Sequence, residues 1–215
     1  MSDEVSSFFE FEVKMKANRE AILLSYPYPK LMDKHLDGAR LLSTRERMLT
    51  EMPQGGIVAE IGVAAGEFSS EILNICKPKK LHLVDCWDSE RYGAFLDSVR
   101  QKYSNEIASN LVEINLGLST DVLQKFPDNY FDWIYIDTVH DYKITSQELV
   151  ISRNKVKKGG LISGHDYCQG NMISGWSYGV VQAVQEFCVN NNWKIKFLTC
   201  ESNCYLSFAI AEIDD

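Results

Sequence analysis

GIVAEIGVAAGEFSSEILNI, residues 56–75, is the stretch whose reading decides the fold. Ile57 to Ile61 is a short β-branched, apolar run with the character of a buried strand. Gly62 and Gly66 bracket a turn of small residues, and Phe68, Ile72, Leu73 and Cys76 then recur at helical spacing. Strand, glycine turn and helix make the first half of a nucleotide-binding βα unit. Such a turn lets a ligand lie against bare backbone at a helix N-terminus, where free N–H groups collect. Residues 62–67, GVAAGE, do not fit the dinucleotide fingerprint G-x-G-x-x-G, and an acid, Glu60, stands inside the motif instead.

Working outward, Leu81-His82-Leu83-Val84 reads as the next strand, with Asp85 at its carboxyl end. An acid there, about twenty residues past the glycine loop, is placed to hydrogen-bond ribose hydroxyls. Trp87 is placed to cover an adenine face or to pack in the core. Residues 90–108 read as a charged amphipathic helix and Leu111–Leu116 as a third strand. Ser119 follows, either at the adenine edge or as the cap of a helix beginning near Asp121. Phe131–Asp137 is the fourth strand, with His140 in its exit loop. A turn at Lys155–Gly160 leads into the fifth strand, Leu161–Ser163, which exits through Gly164-His165-Asp166-Tyr167. Residues 168–178 lack periodicity and read as a mobile loop, expected to form a lid that carries Trp176.

A helix around Val180–Cys188 and two strand-like runs, Trp193–Thr199 and Cys204–Ala211, complete the chain. The short link between these last runs makes them antiparallel. Glu60, Asp85, Ser119, Asp137 and the pair His165–Asp166 thus fall at the carboxyl ends of successive strands. Ligands of open α/β sheets bind at that edge, and structural polar residues would have no reason to gather there.

The leader, residues 1–50, is expected to be a helical extension that caps the sheet or walls the substrate site. Residues 51–215 then form the ligand-binding domain. Phe8, Phe11, Met15 and Ile22 make a loose stripe that Tyr26-Pro27-Tyr28-Pro29 breaks, and Leu41, Leu42, Met48 and Leu49 suggest a second helix. With 22 basic against 30 acidic residues the net charge is −8, which argues against nucleic acid as substrate. Six cysteines form no CxxC pair, so zinc is not indicated and a reduced, cytoplasmic setting is expected. No stretch approaches the roughly eighteen apolar residues of a membrane span. A homo-oligomer is left open.

The set Glu60, Gly62, Ala64 and Gly66 resembles motif I of class I S-adenosylmethionine (SAM) methyltransferases, [DE]-x-G-x-G-x-G, with Ala64 in place of the middle glycine. With LHLVDCW, FDWIYIDTVHDY and KKGGLISGHDY, residues 45–210 resemble the group that includes macrocin-type sugar O-methyltransferases and cephalosporin-hydroxylase-like proteins. The resemblance implies a doubly wound, mostly parallel, Rossmann-like sheet of seven strands ending in an antiparallel hairpin. It implies SAM as cofactor, with Glu60, Gly62 and Gly66 at the methionine end and Asp85 at the ribose. The expected activity is methyl transfer to a hydroxyl oxygen of a small molecule or sugar. Similarity to catechol-type enzymes places Asp137, His165 and Asp166 where those hold a divalent metal, magnesium or manganese, and His140 where their catalytic lysine sits. His165 departs from the Asp-Asn pair usual in catechol-type enzymes and from the acidic pair of macrocin-type ones. A non-catalytic SAM- or nucleotide-binding protein and an NAD-dependent oxidoreductase are the competing classes.

Overall fold

The computed structural model describes residues 3–213, and side chains from Phe11 onward, so the expected contribution of Phe8 to an apolar stripe lies outside the described side chains. In chain order the elements are α1 (Asp3–Ser25), a 3-10 turn (Asp33–His35), β1 (Arg40–Leu42), α2 (Arg45–Leu49), β2 (Ile57–Ile61) and α3 (Glu67–Glu71), which runs on into a π turn (Ile72–Cys76). Then follow β3 (Lys80–Asp85), α4 (Phe95–Lys102), α5 (Ser104–Ala108), β4 (Val112–Leu116), α6 (Ser119–Lys125), β5 (Phe131–Ile136) and α7 (Tyr142–Lys155). The last are β6 (Val156–Gly164), β7 (Gly170–Asn171), β8 (Trp176–Ser177), α8 (Val180–Asn191), β9 (Trp193–Thr199) and β10 (Phe208–Glu212).

The main sheet runs β1-β9-β10-β6-β5-β2-β3-β4, and β10 alone is antiparallel to its neighbours. Along β5, Trp133 and Tyr135 enter the cluster on one face, and Phe131, Ile134 and Ile136 enter that on the other. Both faces are covered by helices, so beyond Asp132 the strand reads as an apolar run instead of an alternation. That is the doubly wound α/β architecture expected.

The differences have local causes. The sheet has eight strands, because Leu41 and Leu42 do not begin a helix but form β1, paired parallel with β9 at Phe197–Thr199. The leader therefore contributes an edge strand as well as helices. The expected helix over 90–108 starts only at Phe95 and breaks at Tyr103. There the phenol turns in to bond the Gly66 carbonyl. The strand β6 reaches back to Val156, whose register partner is Phe131, so only Lys158 and Gly159 of the expected turn stand out to solvent. Residues 168–178 are not structureless: β7 and β8 pair as a two-residue-wide hairpin with Met172 and Ile173 at its tip, each 96% exposed. Helix α1 ends before Pro27, as proline chemistry dictates. Its Arg19 lies near the hairpin turn at Gly175, and Tyr26 rests on Tyr142 with ring centres 5.2 Å apart. No described helix is long and apolar enough to cross a membrane.

Candidate active site

The carboxyl ends of β2, β3, β4 and β5 open into one cavity of about 660 Å³. That size lies within the usual range for small-molecule pockets. Its floor is the glycine turn. Gly62 takes φ +87°, and a Cβ there would overlap the carbonyl oxygen of Asp137, so the ends of β2 and β5 touch backbone to backbone. Gly66 (φ +70°) ends the turn, its carbonyl held by Lys102 Nζ at 2.8 Å and by the Tyr103 hydroxyl.

Asp85 fastens this turn from the next strand. Its Oδ2 accepts the backbone N–H groups of Val63 (2.8 Å) and Ala64 (3.0 Å), and its Oδ1 that of Trp87 (3.0 Å). Trp87 corrects one expectation. It is 5% exposed, sits in the core and donates its indole N–H to the Ala64 carbonyl at 2.9 Å, so it braces the loop from behind instead of covering an adenine. Aromatic surface in the cavity wall comes from Phe68, Tyr92 and Phe95, with Arg91 beside the last two, and the sequence pattern alone places Arg91, Tyr92 and Phe95 in a charged amphipathic helix. Ser119 opens α6 on the cavity wall, with Thr138 and the buried Glu148 behind it.

Glu60 lines the inner end, 2% exposed, bonded to the Ser69 hydroxyl. Burial pushes its carboxyl up to about 8, the Ser69 bond opposing and Asp137 assisting. A buried acid with a hydroxyl for company is suited to meet a cation. Arg45 also lines the cavity, delivered by the first turn of α2. Sequence reasoning missed it. The only signal was Thr44, a capping residue marking a helix start, and nothing said that this start faced the glycine turn.

Asp137, His140 and Asp166 meet at one edge of the cavity, brought together by left-handed turns at His140 (φ +57°) and Asp166 (φ +55°). His140 Nε2 lies 2.7 Å from Asp166 Oδ2 and 3.2 Å from Asp137 Oδ1. Burial works to lower the imidazole, but the two carboxylates outweigh it and hold it up at about 9. Asp166 is correspondingly lowered against its own burial, through His140 and His165. An imidazole near its ordinary value is therefore not what the fold presents. One ligand atom each from Asp137, His140 and Asp166 lie within 4.8 Å of one another. His140 thus joins the two carboxylates of the expected set, and His165 Nδ1 stays beside them, 3.5 Å from Asp166 Oδ2 and 3.7 Å from Asp137 Oδ2. The Tyr178 ring lies over His140 at 4.5 Å, and Gly179 N–H donates to the His140 carbonyl at 2.8 Å. The hairpin thus ends directly on this cluster.

A glycine cradle with an acid inside it, a second acid at the next strand end and this strand order define a class I SAM-dependent methyltransferase. Residues 59–167 match the family described as a methyltransferase domain, and the chain belongs to that family. No curated protein sequence matches. Among solved structures, the chain is similar to the tRNA methyltransferase TrmK of B. subtilis, with a TM-score of 0.58 at 17% identity over 81% of this chain and 67% of that one. A SAM-dependent methyltransferase from Aquifex aeolicus matches with a TM-score of 0.56 at 15% identity, over 91% and 98% of the two chains. Spermidine synthase from Thermotoga maritima matches with a TM-score of 0.52 at 19% identity, over 84% of this chain and 59% of that one. At such identities the likeness is one of fold. The cradle at Gly62 and the buried Glu60 fit the family's cofactor.

Proposed function

We propose that the protein transfers the methyl group of SAM to a hydroxyl oxygen of a small molecule or sugar, with Asp137, His140 and Asp166 handling the acceptor proton. The observation that carries this reading is an imidazole held between two carboxylates at the rim of the cofactor cavity. Methyl transfer from a sulfonium is an in-line displacement, so the protein has to align the acceptor and take up its proton. Exposed Leu118 and Val139 beside the cavity offer apolar surface to a small acceptor, and the net charge of −8 disfavours a polyphosphate one. The fold is shared by tRNA methylases, so the fold by itself does not select the acceptor.

A second reading rests on the 4.8 Å convergence of ligand atoms. Asp137, His140 and Asp166 would hold a divalent cation, magnesium or manganese, which makes a bound hydroxyl more acidic. The Nε2 lone pair of His140 serves either the metal or the proton. The test is a methyl-transfer screen with labelled SAM against hydroxylated small molecules, sugars and tRNA, each with and without EDTA. Label in an O-methyl ether supports the proposal, loss of transfer in EDTA favours the metal, and label confined to tRNA overturns the acceptor class.

A further inference from the structure

The cavity lining is rich in acid: Glu60, Glu67, Asp85 and Asp137 all contribute to it. Such a lining suits the ammonium of an amino acid but repels its carboxylate. Among the described residues the lining arginines are Arg45 and Arg91. Arg91 lies with its guanidinium 4.9 Å from the Tyr92 ring, on the wall beyond β3. Arg45 is placed differently. Its guanidinium lies over the Phe68 ring at 4.6 Å, directly above the first turn of α3 and beside the glycine loop. It bears electrostatically on Tyr135, Asp137 and Glu60. Its carboxylate neighbour in sequence, Glu46, is 3.6 Å away and half exposed, too long and too wet to occupy the fork.

The placement of Arg45 is itself built. Its backbone N–H donates to Glu201 Oε1 at 2.6 Å, reaching from the β9–β10 connection. The fold thus spends two distant segments on holding a five-donor, planar cation over the glycine turn. We propose that Arg45 anchors the α-carboxylate at the amino-acid end of the cofactor, with Glu60 and Asp137 facing the ammonium, so that the pocket selects adenosyl ligands that keep the carboxylate. This rests on the SAM reading above and adds a specificity-determining residue to it. The physical reason is complementarity: a zwitterion needs one anchored charge of each sign, and arginine meets a carboxylate with two parallel N–H bonds.

Calorimetric titration of wild type, Arg45→Gln and Arg45→Lys with three probes tests it: S-adenosylhomocysteine, decarboxylated S-adenosylmethionine and 5′-methylthioadenosine. The last lacks the whole amino-acid end and reports on the adenosine site and the fold. Arg45→Gln should weaken S-adenosylhomocysteine on the order of 10- to 100-fold, the strength of a charge-assisted pair, with about unchanged binding of 5′-methylthioadenosine. Arg45→Lys should fall between. Wild type should prefer S-adenosylhomocysteine to the decarboxylated ligand, and the preference should vanish in Arg45→Gln. Equal weakening of all three probes, or of none, overturns the role of Arg45 while the cofactor reading stands. Failure of wild type to bind any of the three overturns the cofactor reading itself.

Discussion

The α-carbon of Gly62 faces the carbonyl oxygen of Asp137 with no room for a side chain between them. This places the strand that enters the glycine turn against the strand that leads into Asp137. Neither backbone can yield without pulling β2 from β5. Gly62→Ala combines that overlap with a left-handed φ, and should lose about 2–4 kcal/mol of stability and most cofactor binding. Ala64, at φ +48°, is the reverse case, and Ala64→Gly should gain about 0.5–1 kcal/mol. Denaturant unfolding of the two variants checks both signs.

Asp85 collects three backbone N–H groups from the glycine loop and the strand exit. Asp85→Ala leaves those donors without their acceptor and should weaken S-adenosylhomocysteine by about 1–3 kcal/mol. Equal affinity in wild type and variant would remove Asp85 from the site.

His82 on β3 is 3% exposed, and burial pushes its imidazole down to about 4, Glu113 opposing. The folded protein thus keeps His82 neutral where the unfolded chain, with an ordinary value near 6.5, takes up a proton. Its contribution is complete above pH 6.5 and is lost as pH falls from there to about 4, by up to ~3 kcal/mol. Unfolding free energies measured across that window should slope upward with pH, and His82→Phe should flatten the slope.

If His140 takes the acceptor proton, the carboxylates that hold it near 9 leave it mostly charged at neutral pH. Then kcat/KM should climb about tenfold per pH unit toward a plateau near 9, and His140→Ala should cost about 10²–10⁴ in rate. A plateau reached near 6.5 would mean that the two carboxylates do not hold the imidazole in the working enzyme.

Trp176, 72% exposed, stands on a hairpin whose base runs through Tyr178 and Gly179 onto His140. Closure of this hairpin over cofactor and acceptor should protect residues 168–178 from hydrogen exchange, and Trp176→Ala should lower turnover more than cofactor affinity. Unchanged exchange on adding both ligands would leave the hairpin as ordinary surface.

The glycine turn and the strand-end acids were legible because their chemistry is local: a strand, a turn and a helix occupy consecutive residues, and each acid ends an apolar run. Arg45 and the pairing of Leu41–Leu42 with β9 were not, because both depend on contacts with residues near 200, which no window along the chain contains. Trp87 could be written two ways until its indole N–H had a partner. The arrival of His140 between Asp137 and Asp166 turned on two left-handed residues, neither of them glycine, which sequence patterns do not announce.

The position of β10 between β6 and β9 bears on the order in which the protein takes shape during synthesis. The half of the sheet that holds the cofactor cradle, β2 to β6, is synthesised before α8 and leaves the ribosome ahead of it, and can pair within itself. The pair β1 and β9 cannot join that half until β10 arrives to bridge them, so the leader emitted first waits for residues 208–212. Contacts of such long sequence separation form late and slowly. The nascent chain therefore carries a finished cradle with an open edge at β6, and this interval is when a chaperone would find it.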